Sequence, residues 1–223
     1  DLSGGLHAQG QGHPVRSDHV LGVGGASTTL AQLTIRDGFG SALDLGTGCG
    51  VQGLHLSTHV GRVTGHDRNA RALRLAAMTA ELSGVAPFDL REGSLFEPVA
   101  GERFDLIVSN PPFVVSPDSA TEGGRFVYRD SGLPGDEMCR RLIGTAPEHL
   151  TDGGWCQILA NWLHVEGQDW RERVAGWVRE TGADVWAVQR EAQDPAEYVE
   201  LWLRDSGEYG TPDYYKRYDA WLD

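Results

Sequence analysis

The stretch "ALDLGTGCGVQG", Ala42 to Gly53, decides the fold. Its first residues, taken with Ser41, read as a short apolar strand over 41–45, and Val51 to about Val60 reads as a helix. Between them stand Gly46, Gly48 and Gly50, with Gly53 just beyond. A turn this tight at the carboxyl end of a strand needs residues without a β-carbon, and it lets a ligand come close to the backbone. The helix that follows offers its first amides to an anion. Two ligand readings stay open on these residues. Gly48-x-Gly50-x-x-Gly53 matches a dinucleotide fingerprint, a weak signal when it stands alone. Asp44-x-Gly46-x-Gly48-x-Gly50 instead puts a carboxylate at the strand end, where it repels a pyrophosphate but can accept hydrogen bonds from an ammonium group.

Outward from this loop, further strands are expected at 61–67, 88–92, 103–109, 154–163 and 183–191. Helices are expected at 26–36, 69–84, 136–150, 169–181, 195–205 and 213–223. Ser27 or Thr28 suits the N-cap of the first helix, and Gly84 stops the alanine- and leucine-rich helix before it. Strand and helix alternate from residue 41 onward. That predicts an α/β fold of Rossmann-like type, a doubly wound, mostly parallel sheet with helices on both faces. The five tryptophans from Trp155 to Trp186 stand among apolar residues and are expected in the core, with Trp202 and Trp221 covering a surface. The chain divides into an N-terminal arm and helix (1–37), the core (38–205) and a C-terminal tail (206–223).

Composition narrows the function. The formal net charge is −13, which argues against a broad basic face gripping nucleic-acid phosphates. The three cysteines, Cys49, Cys139 and Cys156, are too few and too scattered for a disulfide framework, so a reducing, cytoplasmic compartment is expected. No apolar run approaches the ~20 residues of a membrane span, and no membrane partner is expected. The opening residues lack a signal-peptide pattern. The chain begins with Asp1, and the natural start is expected upstream.

Asp67 ends the second strand about 20 residues after the loop, where a carboxylate can accept both hydroxyls of a ribose. This points to an adenosine-containing cofactor without separating NAD from S-adenosylmethionine. Ser94 and Leu95, past the third strand, fall where an adenine ring would lie. The fourth strand then runs into "SNPPF", Ser109 to Phe113. Its two prolines hold φ near −65° and donate no hydrogen bonds. Asn110 offers a side-chain oxygen, Pro111 a backbone carbonyl and Phe113 a flat face. Two fixed acceptors of this kind can bind the two N–H groups of a planar amine and stabilise positive charge growing on its nitrogen.

"DLGTGCG" followed by "SNPPF" resembles the class I S-adenosylmethionine-dependent methyltransferases. The Asn-Pro-Pro-Phe turn is similar to that of the amino-methyltransferase branch, which modifies exocyclic amines of adenine or guanine, or the side-chain amide of a protein glutamine. The resemblance covers roughly residues 18–190. It implies a cofactor site of Asp44, Gly46, Thr47, Gly48, Gly50, Asp67, Arg68, Ser94, Leu95 and Asn110. It also implies a catalytic turn of Asn110, Pro111, Pro112 and Phe113. The cofactor would be S-adenosyl-L-methionine, and the partner a nucleic acid, RNA ahead of DNA, or a protein substrate. The family's sheet ordinarily closes with an antiparallel hairpin, and nothing after 183–191 reads as its second strand.

Other readings rank lower. Methylation of cytosine at carbon needs a cysteine nucleophile, and residues 109–113 hold none. Metal-assisted O-methylation wants clustered carboxylates, and no metal is expected. His55 and His59 lie four apart, a spacing more often found on a plain helix surface than at a metal. Arg125, Tyr128 and Arg129 follow the proline turn and suit either a substrate-entrance lid or a polar connection. A noncatalytic S-adenosylmethionine-binding module or a small-molecule methyltransferase is the alternative. An NAD-dependent oxidoreductase is disfavoured by Asp44.

Overall fold

Side chains on a strand alternate between the faces of a sheet, and β1 (Phe39–Leu45) uses both faces. Ala42 joins one buried apolar cluster and Leu43 another. The structure, a computed structural model, describes residues 18–115, 133–205 and 208–222. Its sheet has five parallel strands in the order β3-β2-β1-β4-β5, with β2 at Val60–Asp67, β3 at Asp89–Glu92, β4 at Phe104–Ser109 and β5 at Leu150–Ile158.

The helices are α1 (Gly25–Leu33), α2 (Val51–Leu56), α3 (Ala70–Ser83), α4 (Glu137–Thr145), α5 (Trp170–Gly176), α6 (Pro195–Asp205) and α7 (Tyr214–Leu222). Leu30 of α1, Leu56 of α2 and Ala80 of α3 pack with Ala42, Val63 and Leu106 in one cluster. Leu142 of α4 packs with Leu43, Leu45 and Ile107 in the other. The sheet is therefore covered on both faces, the doubly wound Rossmann-like arrangement. From β1 the chain winds outward through β2 to β3, then returns to lay β4 on β1's other side. The order reverses between β1 and β4, and ligands of such sheets bind beyond the carboxyl ends at that point.

Local chemistry explains several elements. Asn69 caps α3 by accepting the Arg71 N–H at 3.0 Å, and Gly84 ends it in the left-handed region. Ala72, Ala76 and Ala80, four apart, are the buried stripe of that helix. Two glutamines pin α1: Gln52 donates to the Ser27 carbonyl (2.8 Å), while Gln157 accepts from the Ile35 N–H (2.7 Å) and donates to the Leu33 carbonyl (2.9 Å).

Other expectations are corrected. Residues 183–191 form no strand; Trp186 is 93 % exposed and Val188 83 %. The apolar alternation is present there, but a strand needs a ladder partner, and the next element is α6 rather than a second hairpin strand. Trp155 is 52 % exposed on the edge strand β5, so it and Trp186 lie outside the core. Trp162, Trp170 and Trp177 are half-buried. Gly24, not Ser27 or Thr28, caps α1; the Thr28 hydroxyl donates back to the Gly24 carbonyl. α2 ends at Leu56 rather than near Val60, where the hydroxyls of Ser57 and Thr58 bond the carbonyls of Leu54 and His55. The helix expected over 136–150 breaks at Pro147 into α4 and a short 3-10 turn, and β5 starts at Leu150, four residues early. It also ends at Ile158, leaving 159–163 outside it. Arg125, Tyr128 and Arg129 lie outside the described residues.

Candidate active site

β1 and β4 pair with Leu45 opposite Ser109, so Gly46 and Asn110 leave the sheet from adjacent strand ends. Ser109 is fully buried and fixed on both sides. Its hydroxyl donates to the Leu45 carbonyl at 2.8 Å, and its own carbonyl accepts the Leu159 N–H at 3.1 Å. The proline turn is thus launched from a fixed point beside the glycine loop. Asn110, Pro112 and Phe113 are half-buried, and Pro111 is buried.

The glycines divide by task. Gly46, Gly48 and Gly50 all have positive φ (75°, 55° and 85°), a region that side chains other than glycine's seldom occupy. A β-carbon built on Gly46 or Gly48 would meet nothing within 4 Å, so these two face open space. One on Gly50 would strike the Ala76 backbone at 3.0 Å, and one on Gly53 the Phe88 ring at 3.0 Å. The first pair leaves room for a ligand; the second lets the loop and α2 pack on α3 and Phe88. The N–H groups of Gly46 and Thr47 both donate to the His66 carbonyl, at 3.0 and 2.9 Å, which ties the loop to the end of β2.

Asp44 braces this loop from below. It is 1 % exposed, and its Oδ2 accepts from the Thr47 hydroxyl (2.6 Å) and the Gly53 N–H (2.9 Å). Its Oδ2 thereby ties the loop to α2. Burial pushes its carboxyl up to about 6, against the two hydrogen bonds that pull it down. The folded chain then holds a proton that the unfolded chain releases between about pH 4 and 6, so this group's contribution to stability falls as pH rises through that window. His66 has the opposite slope: burial lowers its ring to about 4, and its contribution rises with pH from there to its ordinary value. The two mask each other in a simple scan. Asp44→Asn separates them: in the cofactor-free chain the variant should gain on the wild type by about 3 kcal/mol between pH 4 and 6. Urea unfolding at each pH measures this, and a difference independent of pH would return Asp44 to an ordinary carboxyl.

Asp67 joins three segments. Its Oδ2 accepts from the Gly48 N–H at 3.0 Å and its Oδ1 from the Asn69 N–H at 2.8 Å, while its carbonyl accepts the Gly93 N–H at 3.1 Å. Burial raises its pKa, opposed by those two side-chain contacts. The Gly93 bond brings Ser94 and Leu95 next to the end of β2. Leu95 has φ 48°, alone among the described residues other than glycine in having a positive φ. A bulky residue held in that region marks a backbone whose surroundings impose its shape. Ser94 and Arg68 are exposed.

The structure brings Asp44, Gly46, Thr47, Gly48, Gly50, Asp67, Ser94, Leu95 and Asn110 to one end of the sheet. It does not bring His55 and His59 to a metal centre. Arg36 donates to His55 Nε2, and no group of three or more metal-ligating side chains occurs among the described residues. Ser109 and His66 are the structural members that sequence reasoning missed. A serine at the last position of a core strand is the one signal that could have drawn attention to the first.

Residues 22–169 match the family model described as the methyltransferase small domain. The chain belongs to that family. A release factor glutamine methyltransferase from Xylella fastidiosa (strain Temecula1) is 37 % identical over 126 residues, covering 53 % of this chain and 46 % of that protein. A ribosomal protein uL3 glutamine methyltransferase from Bradyrhizobium diazoefficiens is 35 % identical over 127 residues, covering 52 % and 40 %. The chain thus spans under half the length of these curated relatives. Among solved structures, a precorrin-8w decarboxylase from Methanobacterium thermoautotrophicum matches in fold, with a TM-score of 0.50 and 21 % identity over 74 % of this chain and 76 % of that one. For a member of this family with this fold, S-adenosylmethionine is the cofactor to set against the site, and the residues fit it. Gly46 and Gly48 leave space that a β-carbon would fill, and Asp67 presents both carboxylate oxygens at the end of β2.

Proposed function

We propose that this chain is the core of an S-adenosylmethionine-dependent methyltransferase acting on the side-chain amide of a glutamine in a protein. The observation that carries the reading is the Leu45–Ser109 pairing, which sets the open glycine loop and the Asn-Pro-Pro-Phe turn on adjacent strand ends. Bound S-adenosylmethionine supplies an electrophilic methyl group on a sulfonium. The chain's own residues do the rest. Asp67 accepts the ribose hydroxyls, each of its oxygens having a second lone pair beside the amide it already binds. Arg68, Ser94 and Leu95 border the nucleoside. Asp44, through Thr47 and Gly53, holds the loop open for the methionine half.

On the acceptor side, an amide nitrogen is a poor nucleophile because its lone pair is delocalised. The side-chain oxygen of Asn110 and the carbonyl of Pro111 accept its two N–H groups and turn the lone pair toward the methyl carbon. They also stabilise the positive charge that develops during attack. The prolines keep both acceptors in place before substrate arrives, and Phe113 lies flat against the planar group. Protein is favoured over RNA as acceptor by the two relatives' names and by the net charge of −13, which gives phosphates little to bind. The test is transfer of labelled methyl from S-adenosylmethionine into separated protein, RNA and DNA fractions. Label should enter protein, where exhaustive enzymatic digestion should return methylated glutamine and acid hydrolysis should release the label as methylamine; label in RNA alone would overturn the choice of acceptor.

A further inference from the structure

The family match ends at residue 169, yet a side chain well beyond it reaches the proline turn. Among the described residues, the hydroxyl of Tyr198, on α6, accepts from the Val115 N–H at 2.9 Å and from Asn161 Nδ2 at 3.4 Å. Val115 lies two residues past Phe113, and Asn161 three past the end of β5. One phenolic oxygen thus joins the segments leaving β4 and β5, both at the carboxyl end of the sheet.

α6 is built to hold that oxygen still. Asp194 accepts the Ala196 and Glu197 N–H groups (2.8 and 3.4 Å), Pro195 stands at the first helical position, and the pattern Asp-Pro-Ala-Glu is a strong helix start. Val199 and Leu203 anchor the helix at 3 % and 1 % exposure. The Tyr198 ring lies near the rings of Trp202 of α6 (centroids 6.0 Å apart) and Trp221 of α7 (6.4 Å). These ring contacts, with the hydrogen bonds at the hydroxyl, hold the phenol oxygen in place. The turn it reaches begins at another fixed point, Ser109, and Pro111 and Pro112 have no N–H with which to tie themselves down. Val115 is where the far end of the turn is secured.

We propose that Tyr198 is a positioning residue: it clamps the far end of the Asn110–Phe113 turn so that the two amine acceptors hold their orientation. This rests on reading that turn as the acceptor site. α6 and α7 then brace the substrate turn from outside the family domain.

Tyr198→Phe keeps the ring contacts with Trp202 and Trp221 and removes only the oxygen. In the full chain, hydrogen exchange of the peptide containing Val115 should quicken by about tenfold, as expected for losing one hydrogen bond. With labelled S-adenosylmethionine and the protein fraction, kcat should fall about tenfold while cofactor affinity holds and the thermal midpoint drops by no more than a few degrees. A packing role would instead lower the midpoint and cofactor affinity together. Unchanged exchange would remove the clamp, and faster exchange with undiminished kcat would remove its positioning role. Should the wild type transfer no methyl to any fraction while the variant still exchanges faster, the clamp stands and the proposed function fails, so the two failures are told apart.

Discussion

Replacing Asn110 with alanine should lower methyl transfer by about 10²-fold or more, the scale of losing one preorganised group that stabilises charge in a transition state. The argument is geometric. Asn110 follows a residue fixed by its hydroxyl to Leu45 and by its carbonyl to Leu159, and the two prolines after it cannot turn away. Without the side-chain oxygen, one N–H of the target amide loses its acceptor while the Pro111 carbonyl keeps the other. The amide still binds, but its lone pair stays conjugated and the growing charge is met from one side. Cofactor affinity should stay within about twofold, because the loop, Asp44 and Asp67 are untouched and catalytic groups act on the transition state rather than on binding. Single-turnover transfer and calorimetry with S-adenosylhomocysteine measure the two quantities separately. A matching loss of both would put Asn110 on the cofactor and leave the amide without its proposed acceptor.

The parts legible in the sequence were those set by short-range chemistry. Glycines at 46, 48 and 50 announce a tight turn because glycine takes a positive φ without the strain a side chain brings, and the structure gives all three that conformation. Asn69 and Gly84 mark the ends of α3 for equally local reasons. Elements that depend on a partner were harder to read. Residues 183–191 carry strand-like alternation, but periodicity does not supply a neighbouring strand, and Trp186 ends 93 % exposed. Trp155 misled for a related reason, since an edge strand covers a large ring only where a helix happens to lie over it. The tie from Tyr198 to Val115 spans 83 positions and leaves no local pattern. Ser109 is intermediate: its position at a strand end was visible, but its bond to Leu45 required knowing that β4 lies next to β1.

The second large effect belongs to Asp67. Asp67→Ala should weaken S-adenosylmethionine binding by about 10²- to 10⁴-fold, because two hydrogen bonds to a charged acceptor contribute ~1.5–3 kcal/mol each. Two losses combine. The ribose hydroxyls lose their acceptors, and the Gly48 N–H, held at 3.0 Å by Oδ2, is released along with the shape of the open loop. Turnover at saturating cofactor should change little, since the proposed site keeps Asp67 away from both the methyl group and the amine. The carboxylate also makes binding sensitive to pH. Burial raises its pKa, so on acidification it takes up a proton earlier than an ordinary aspartate and loses acceptor strength. Wild-type affinity should therefore weaken toward low pH, and the alanine variant should lose that part of the dependence. Calorimetric titrations across the acid range decide it. An unchanged dissociation constant in the variant would take the ribose away from Asp67 and leave this residue as a brace for Gly48 and Asn69.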